Sequence, residues 1–150
     1  MIHFRPATQD DSEFLFQLKK QTLKEYITII WGWDEEVQRN FHQKNFKPEK
    51  YCIIQEDGQD IGCFSVEEHP DKFFLNIIEI IPKYQNKRIG SSLIRDLINK
   101  GLQEKKNVEL QVFKVNQKAF GLYKSLGFIL KSETDTHYQM IYYSNKTLKE

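Results

Sequence analysis

Residues Phe73 to Ile81 read FFLNIIEII, a nearly continuous apolar run that stops at Pro82. Nine residues are too few for a buried helix of ordinary length and suit a strand crossing the middle of a sheet, covered on both faces. Directly after it, Lys83-Tyr84-Gln85-Asn86-Lys87-Arg88 forms a short polar loop, and Ile89, Leu93, Ile94, Leu97, Ile98 and Leu102 recur at helical spacing. A strand, a short polar loop and a helix in that order belong to an α/β chain, and the full element order below makes the sheet a mixed one.

The flanking segments extend this pattern. Ile2 to Arg5 alternates and is closed by Pro6, as a short strand does. Asp10-Asp11-Ser12 offers caps for a helix whose apolar positions run from Phe14 through Leu18, Leu23 and Ile27 to Ile30. Trp31-Gly32-Trp33 interrupts it, and Asp34 can cap a second, shorter helix carrying Val37 and Phe41, which Pro48 ends at the latest. From Tyr51 the period changes to two. Residues 51–55 and 61–66 flank Asp57-Gly58, a hairpin turn signal. Val108, Leu110 and Val112 alternate as a further strand; Asn116 can cap a helix with Ala119, Phe120 and Tyr123, ended by Gly127. Residues 128–131 and 138–142 are the last two strands. The order is β α α β β β α β α β β.

Composition narrows the function. An apolar share of 39% with 11 Phe, 7 Tyr and 2 Trp is too rich for disorder, and 150 residues suit one domain, 1–150. Twenty-two basic residues against twenty-one acidic ones speak against a nucleic-acid binder. Cys52 and Cys63 match no metal or disulfide spacing, and the sequence predicts no metal site. No apolar run is long enough to span a bilayer and the N-terminus carries no export signal, so the expectation is a cytoplasmic protein that uses no membrane.

The loop after the apolar strand carries the first chemical signal. A helix starting at about Gly90 aims its first free amides, and the positive end of its dipole, at one point where phosphate binds well. Small Gly90 and Ser91 let a bulky ligand approach. An ordinary capped helix with solvated Lys83, Lys87 and Arg88 explains that stretch equally well when it is taken alone.

A second segment decides between the two. Gln85-Asn86-Lys87-Arg88-Ile89-Gly90 and Asn116-x-x-Ala119-x-x-x-Tyr123-x-x-x-Gly127-Phe128 together resemble the GCN5-related N-acetyltransferase (GNAT) superfamily, whose acyl-CoA loop reads Gln/Arg-x-x-Gly-x-Gly/Ala. The resemblance spans essentially the whole chain. It implies a mixed, mostly antiparallel sheet of about seven strands flanked by about four helices. It also implies an acetyl-CoA-dependent N-acetyltransferase that acts on a primary amine of a small molecule or peptide, through direct attack in a ternary complex. A homodimer is compatible with it. One departure stands out: Arg88 occupies the place of the family's first loop glycine, and its amide can serve a phosphate if its φ is negative.

What the resemblance implies for single residues follows from that mechanism. Backbone groups of Ile80 and Ile81 would pair with the pantetheine arm, the Ile80 amide also polarising the thioester carbonyl. Amides from Gln85 through Asn86, Lys87, Arg88, Ile89 and Gly90 to Ser91 would hold the pyrophosphate, and Asn116 would border the pantetheine. Tyr123 holds the position that serves in many members as the general acid protonating the departing thiolate; taken alone, its helical spacing from Ala119 also suits a core aromatic. Glu79, the only ionisable group in the apolar run, is a candidate base, though its strand parity opposes that of Asn76 and an ion pair or water-bridged group explains it as well; ordered water positioned by Asn76 or Gln111 is the alternative route for the proton. Trp31 and Trp33, with Asp34-Glu35-Glu36 after them, suit a cationic acceptor, whereas a packing role explains the same residues as well. His137 could border the acceptor pocket. The rival function is a non-catalytic acyl-CoA-binding or sensing module on the same fold.

Overall fold

The structure is a computed structural model describing residues 1–144. Eleven regular elements follow one another: β1 (Ile2–Pro6), α1 (Ser12–Ile30), α2 (Glu35–Asn45), β2 (Cys52–Glu56), β3 (Gln59–Glu68), β4 (Lys72–Ile80), α3 (Ile89–Glu104), β5 (Asn107–Phe113), α4 (Gln117–Ser125), β6 (Ile129–Glu133) and β7 (His137–Tyr142). This is the order expected from the sequence. The strands form a seven-stranded mixed sheet ordered β1-β2-β3-β4-β5-β7-β6. β4 and β5 are parallel, pairing Lys72–Leu75 with Asn107–Leu110, and α3 is the crossover that such a pair requires. The ladders β1/β2, β2/β3, β5/β7 and β6/β7 are antiparallel.

The chain divides into two compact units. The first comprises Met1–Ser65 with Ile77–Gln85, the second Val66–Asn76 with residues 86 onward. In the first, α1 buries Leu15, Phe16, Leu18 and Ile27, while Ile53, Ile54, Ile61 and Cys63 come from β2 and β3. Leu15, Leu18 and Ile27 belong to the apolar set read from the sequence, and Phe16 is buried beside them. Arg5 on β1 and Asp11 ahead of α1 close the edge of this unit through paired hydrogen bonds of 2.9 and 2.7 Å. α2 differs from its sequence reading. Its Val37 and Phe41 are mostly exposed, and the helix is held instead by His42. That ring stacks on Phe46 at 5.0 Å, meets Phe16 edge-on at 5.5 Å and bonds Ser12.

The second unit buries Phe73 and Leu75 of β4, the Leu93, Ile94, Leu97 and Ile98 face of α3, alternate residues of β5, and Phe128, Met140 and Ile141. The expectation that β4 is covered on both faces is met only in part. Phe74, Ile77 and Ile78 are half-buried and Asn76 is exposed, because this stretch of the strand leaves one face accessible. β6 is the edge strand and all five of its residues are exposed; the buried aromatic of that segment, Phe128, lies just before it.

Candidate active site

The loop from β4 to α3 is built by backbone geometry. After Ile80, Pro82–Tyr84 makes one tight turn, within which the Gln85 amide donates to the Pro82 carbonyl at 3.1 Å. The Gln85 side chain then folds back and donates to the Ile80 carbonyl at 2.8 Å, fixing the loop to the strand end. Asn86 and Arg88 both adopt left-handed conformations, with φ of 64° and 66°. Asn tolerates this region well; arginine does so at a cost of roughly 1–2 kcal/mol. Arg88 therefore keeps the backbone shape that a glycine would adopt there. The condition of a negative φ at Arg88 is not met, because the chain must reverse abruptly to enter α3.

The reversal leaves a usable helix start. The first amide bonded back within α3 is that of Ser92, donating to the Arg88 carbonyl at 3.0 Å. The amides of Ile89, Gly90 and Ser91 precede it and have no partner one turn earlier in the helix. No acidic residue stands in the first turn of α3, so no carboxylate competes for that positive end. This donor set fits a phosphate-bearing group such as the pyrophosphate of CoA. Two donors expected from the sequence are already committed: the Gln85 amide to Pro82, and the Ile81 amide to the Ile61 carbonyl at 2.8 Å. One bond belongs to the turn and the other joins the end of β4 to β3; the alternation of residue types reveals neither.

Glu79 lies in the first unit, 8% exposed, near Lys19 and Thr22 of α1 and with the Cys63 thiol 4.0 Å from its carboxylate. Burial pushes its carboxyl up to about 7, partly opposed by the Lys19 charge and the Thr22 hydroxyl. Desolvation in the same surroundings raises the Cys63 thiol and lowers Lys19. Asn76, in the second unit, points to solvent and donates to Glu67.

Trp33 is tied into the helix pair. Its indole N–H donates to Glu35 Oε1 at 2.9 Å and its ring lies 6.4 Å from Phe16. Asp34 caps α2 by accepting from the Val37 amide at 3.0 Å, and Glu35 pairs with Lys20 and Arg39. The carboxylates after Trp33 thus serve the helix start first. Trp31 is 63% exposed.

In the second unit Asn116 caps α4, its Oδ1 accepting from the Ala119 amide at 3.1 Å. Gly127, at φ 105°, ends the helix; a Cβ there would lie 2.8 Å from the Tyr142 ring. Tyr123 sits between these two ends. Its ring meets Phe128 edge-on at 6.0 Å, and its hydroxyl has no hydrogen-bond partner among the described residues. The residue keeps a partly accessible edge, yet enough protein surrounds the hydroxyl that desolvation pushes it up to about 12. His137 packs at a tilt against Phe113, ring centroids 4.4 Å apart, and burial lowers its basicity.

The model of the acetyltransferase (GNAT) family matches residues 14–128, from α1 through both motif segments. The chain belongs to the GNAT family. Membership assigns it to the acetyltransferases that draw their acyl group from acetyl-CoA. Among solved structures, the PaiA N-acetyltransferase of Thermoplasma acidophilum in complex with coenzyme A superposes with a TM-score of 0.75 at 19% identity, over 94% of this chain and 98% of that one. An N-acetyltransferase of Staphylococcus aureus Mu50 gives 0.71 at 13% identity, over 93% and 100%. The ribosomal-protein-S18-alanine N-acetyltransferase of Escherichia coli gives 0.62 at 20% identity, over 94% and 90%. These likenesses share the GNAT fold. No curated protein matches the chain by sequence. Among the described residues no cluster of His, Cys, Asp and Glu could hold a metal, and no helix is long and apolar enough to cross a membrane.

Proposed function

We propose that this GNAT protein transfers the acetyl group of acetyl-CoA directly to a primary amine of a small molecule or peptide. The observation that carries the reading is Tyr123: a half-buried phenol whose hydroxyl has no hydrogen-bond partner among the described residues, on a helix fixed at both ends. A proton donor kept in that state suits a catalyst better than a module that only binds acyl-CoA.

Bound acetyl-CoA supplies an acyl group activated as a thioester. In this reading the amides of Ile89, Gly90 and Ser91 hold its anionic end, with Asn86, Lys87 and Arg88 shaping the turn. The Ile80 N–H donates to the carbonyl oxygen, where negative charge grows during attack. Asn116 lines the path of the pantetheine. An aliphatic amine with a pKa near 10 arrives protonated at neutral pH, so a base must take its proton. Glu79 is about half ionised near pH 7, the range in which a general base works best. Tyr123 returns a proton to the leaving sulfur. Trp31 offers an exposed ring to the acceptor, while Trp33 packs toward Phe16 and holds Glu35.

The test has two arms. Acetyl-CoA at a hundred times its dissociation constant should stabilise the folded protein by about 2.7 kcal/mol. A panel of polyamines, aminoglycosides and peptide N-termini should then be screened for thiol release. A thermal shift without turnover on any amine would favour the sensing module; no shift at millimolar acetyl-CoA would reject both readings.

A further inference from the structure

β3 and β4 approach each other unusually closely at Gly62. A Cβ placed on Gly62 would lie 2.4 Å from the Glu79 carbonyl oxygen, 3.2 Å from the Ile80 Cα and 3.3 Å from the Ile80 Cγ1. The first of these is far inside the ordinary contact range of 3.4–4 Å, and its partner is backbone, which cannot swing aside as a side chain can. Gly62 is therefore required by space, not by a left-handed φ. The same point is locally irregular: Ile54 pairs with Gly62 and Gln55 with Asp60, so Ile61 is the extra residue of a bulge in β3. Its carbonyl accepts the Ile81 amide at 2.8 Å.

The oxygen that meets Gly62 belongs to the peptide unit joining Glu79 to Ile80. That unit is planar and trans, with its C=O and N–H pointing in opposite directions. With the carbonyl turned toward Gly62 on β3, the Ile80 N–H is aimed away from β3. Any side chain at position 62 must push this oxygen, and the rigid plane carries the N–H with it.

We propose that Gly62 is a positioning residue for acetyl transfer: its missing side chain lets the Glu79–Ile80 peptide seat against β3, and so sets the aim of the Ile80 N–H at the thioester carbonyl. The inference rests on the acetyltransferase reading above and adds a residue that touches neither acetyl-CoA nor the amine. A misplacement of about 1 Å in an oxyanion donor is enough to matter, since one such donor contributes about a hundredfold to a thousandfold in rate.

Gly101 provides a matched control. It lies in α3, where a Cβ would sit 2.6 Å from the Lys106 carbonyl oxygen, a backbone clash of the same kind in the other unit. The experiment uses acetyl-CoA labelled with ¹³C at the thioester carbonyl and reads the carbonyl stretching band of the bound molecule by isotope-edited infrared spectroscopy. It is run on the unaltered chain, Gly62→Ala and Gly101→Ala, with affinity and melting temperature measured beside it. The unaltered chain should lower the band relative to solution. Gly62→Ala should return it at least halfway while acetyl-CoA affinity stays within about threefold, and Gly101→Ala should leave it lowered despite its own loss of stability. Because Gly62→Ala could fail to fold, the backbone resonance of Ile80 in the unaltered chain is followed by NMR as acetyl-CoA is added, with a downfield shift of its amide proton expected. An unshifted Ile80 amide, or a band in Gly62→Ala equal to that of the unaltered chain, overturns the positioning role and leaves acetyl transfer standing. If the unaltered chain does not bind acetyl-CoA at all, the acetyltransferase reading falls and takes this role with it.

Discussion

Arg5 grips Asp11 with both guanidinium nitrogens, Nη1 to Oδ2 at 2.9 Å and Nη2 to Oδ1 at 2.7 Å, and Nη2 also reaches Asp60 at 2.9 Å. The Asp11 residue is 7% exposed, and its Oδ2 also accepts from the Thr8 amide at 2.8 Å. Arg5 beside it holds the Asp11 carboxyl below the usual aspartate range. Asp11→Asn should destabilise the chain by about 2–3 kcal/mol, less than for a fully buried pair because Arg5 remains partly solvated. A group with a depressed folded pKa stabilises above its unfolded value near 4 and loses that contribution as pH falls below it. Urea unfolding from pH 7 to pH 3 should therefore show the gap between wild type and Asp11→Asn narrowing at the acid end.

Glu79 has the opposite sign. Its folded pKa of about 7 exceeds the ordinary value of 4.5, so the folded state binds the proton more tightly and stability declines as pH rises between the two. Glu79→Gln removes the ionisation. It should be more stable than wild type by on the order of 3 kcal/mol at pH 8, with most of that advantage gone at pH 5. Thermal melts at both pH values check this; an equal difference at each would show that the carboxyl ionises as freely inside the fold as outside. In the activity assay, the same substitution should remove a pH-rate limb near 7.

For Arg88 the measured quantity is strain. Arg88→Gly should stabilise the chain by about 0.5 kcal/mol, the relief of a left-handed arginine less the extra freedom of an unfolded glycine. Arg88→Val should cost at least about 1 kcal/mol, since a β-branched residue resists φ 66°. Chemical denaturation of both variants tests the ordering.

Tyr123→Phe keeps the ring against Phe128 and removes the hydroxyl. Turnover should fall roughly tenfold to a thousandfold, with acetyl-CoA affinity nearly unchanged. Because surroundings raise the phenol to about 12, Tyr123 should contribute no alkaline limb to the pH profile below about pH 11. Unchanged turnover would assign thiolate protonation to another group.

The two tryptophans should separate. Trp33→Ala removes a ring packed toward Phe16 and a hydrogen bond to Glu35, and should cost about 2–3 kcal/mol of stability. Trp31→Ala should hardly change the melting temperature and should raise the acceptor KM several-fold more than that of acetyl-CoA. Equal KM values for Trp31→Ala and wild type would remove Trp31 from the acceptor site.

Element order and both motif segments were legible because they depend on local periods: three to four in α1 and α3, two in β5, and caps at Asp34, Asn116 and Gly127. Backbone commitments were not. The bond from the Ile81 amide to Ile61 joins residues 20 positions apart by strand register, and nothing in the identity of an isoleucine announces it. The left-handed state of Arg88 was hidden for a similar reason, since the fold imposes it against the residue's own preference. The reverse holds for Gly62. A glycine in a strand already signals close backbone approach, but only the structure identifies the Glu79–Ile80 peptide as its neighbour.

α4 contains nine residues, begun by the Asn116 cap and stopped by Gly127. Each residue of an α-helix advances about 1.5 Å and turns about 100°. A single insertion between Asn116 and Tyr123 would therefore swing the phenol to another side of the helix, while most substitutions there would leave its bearing intact. The short helix behaves as a ruler with both ends marked. The spacing between the cap and the phenol is therefore fixed in length more strictly than the residues between them are fixed in chemistry.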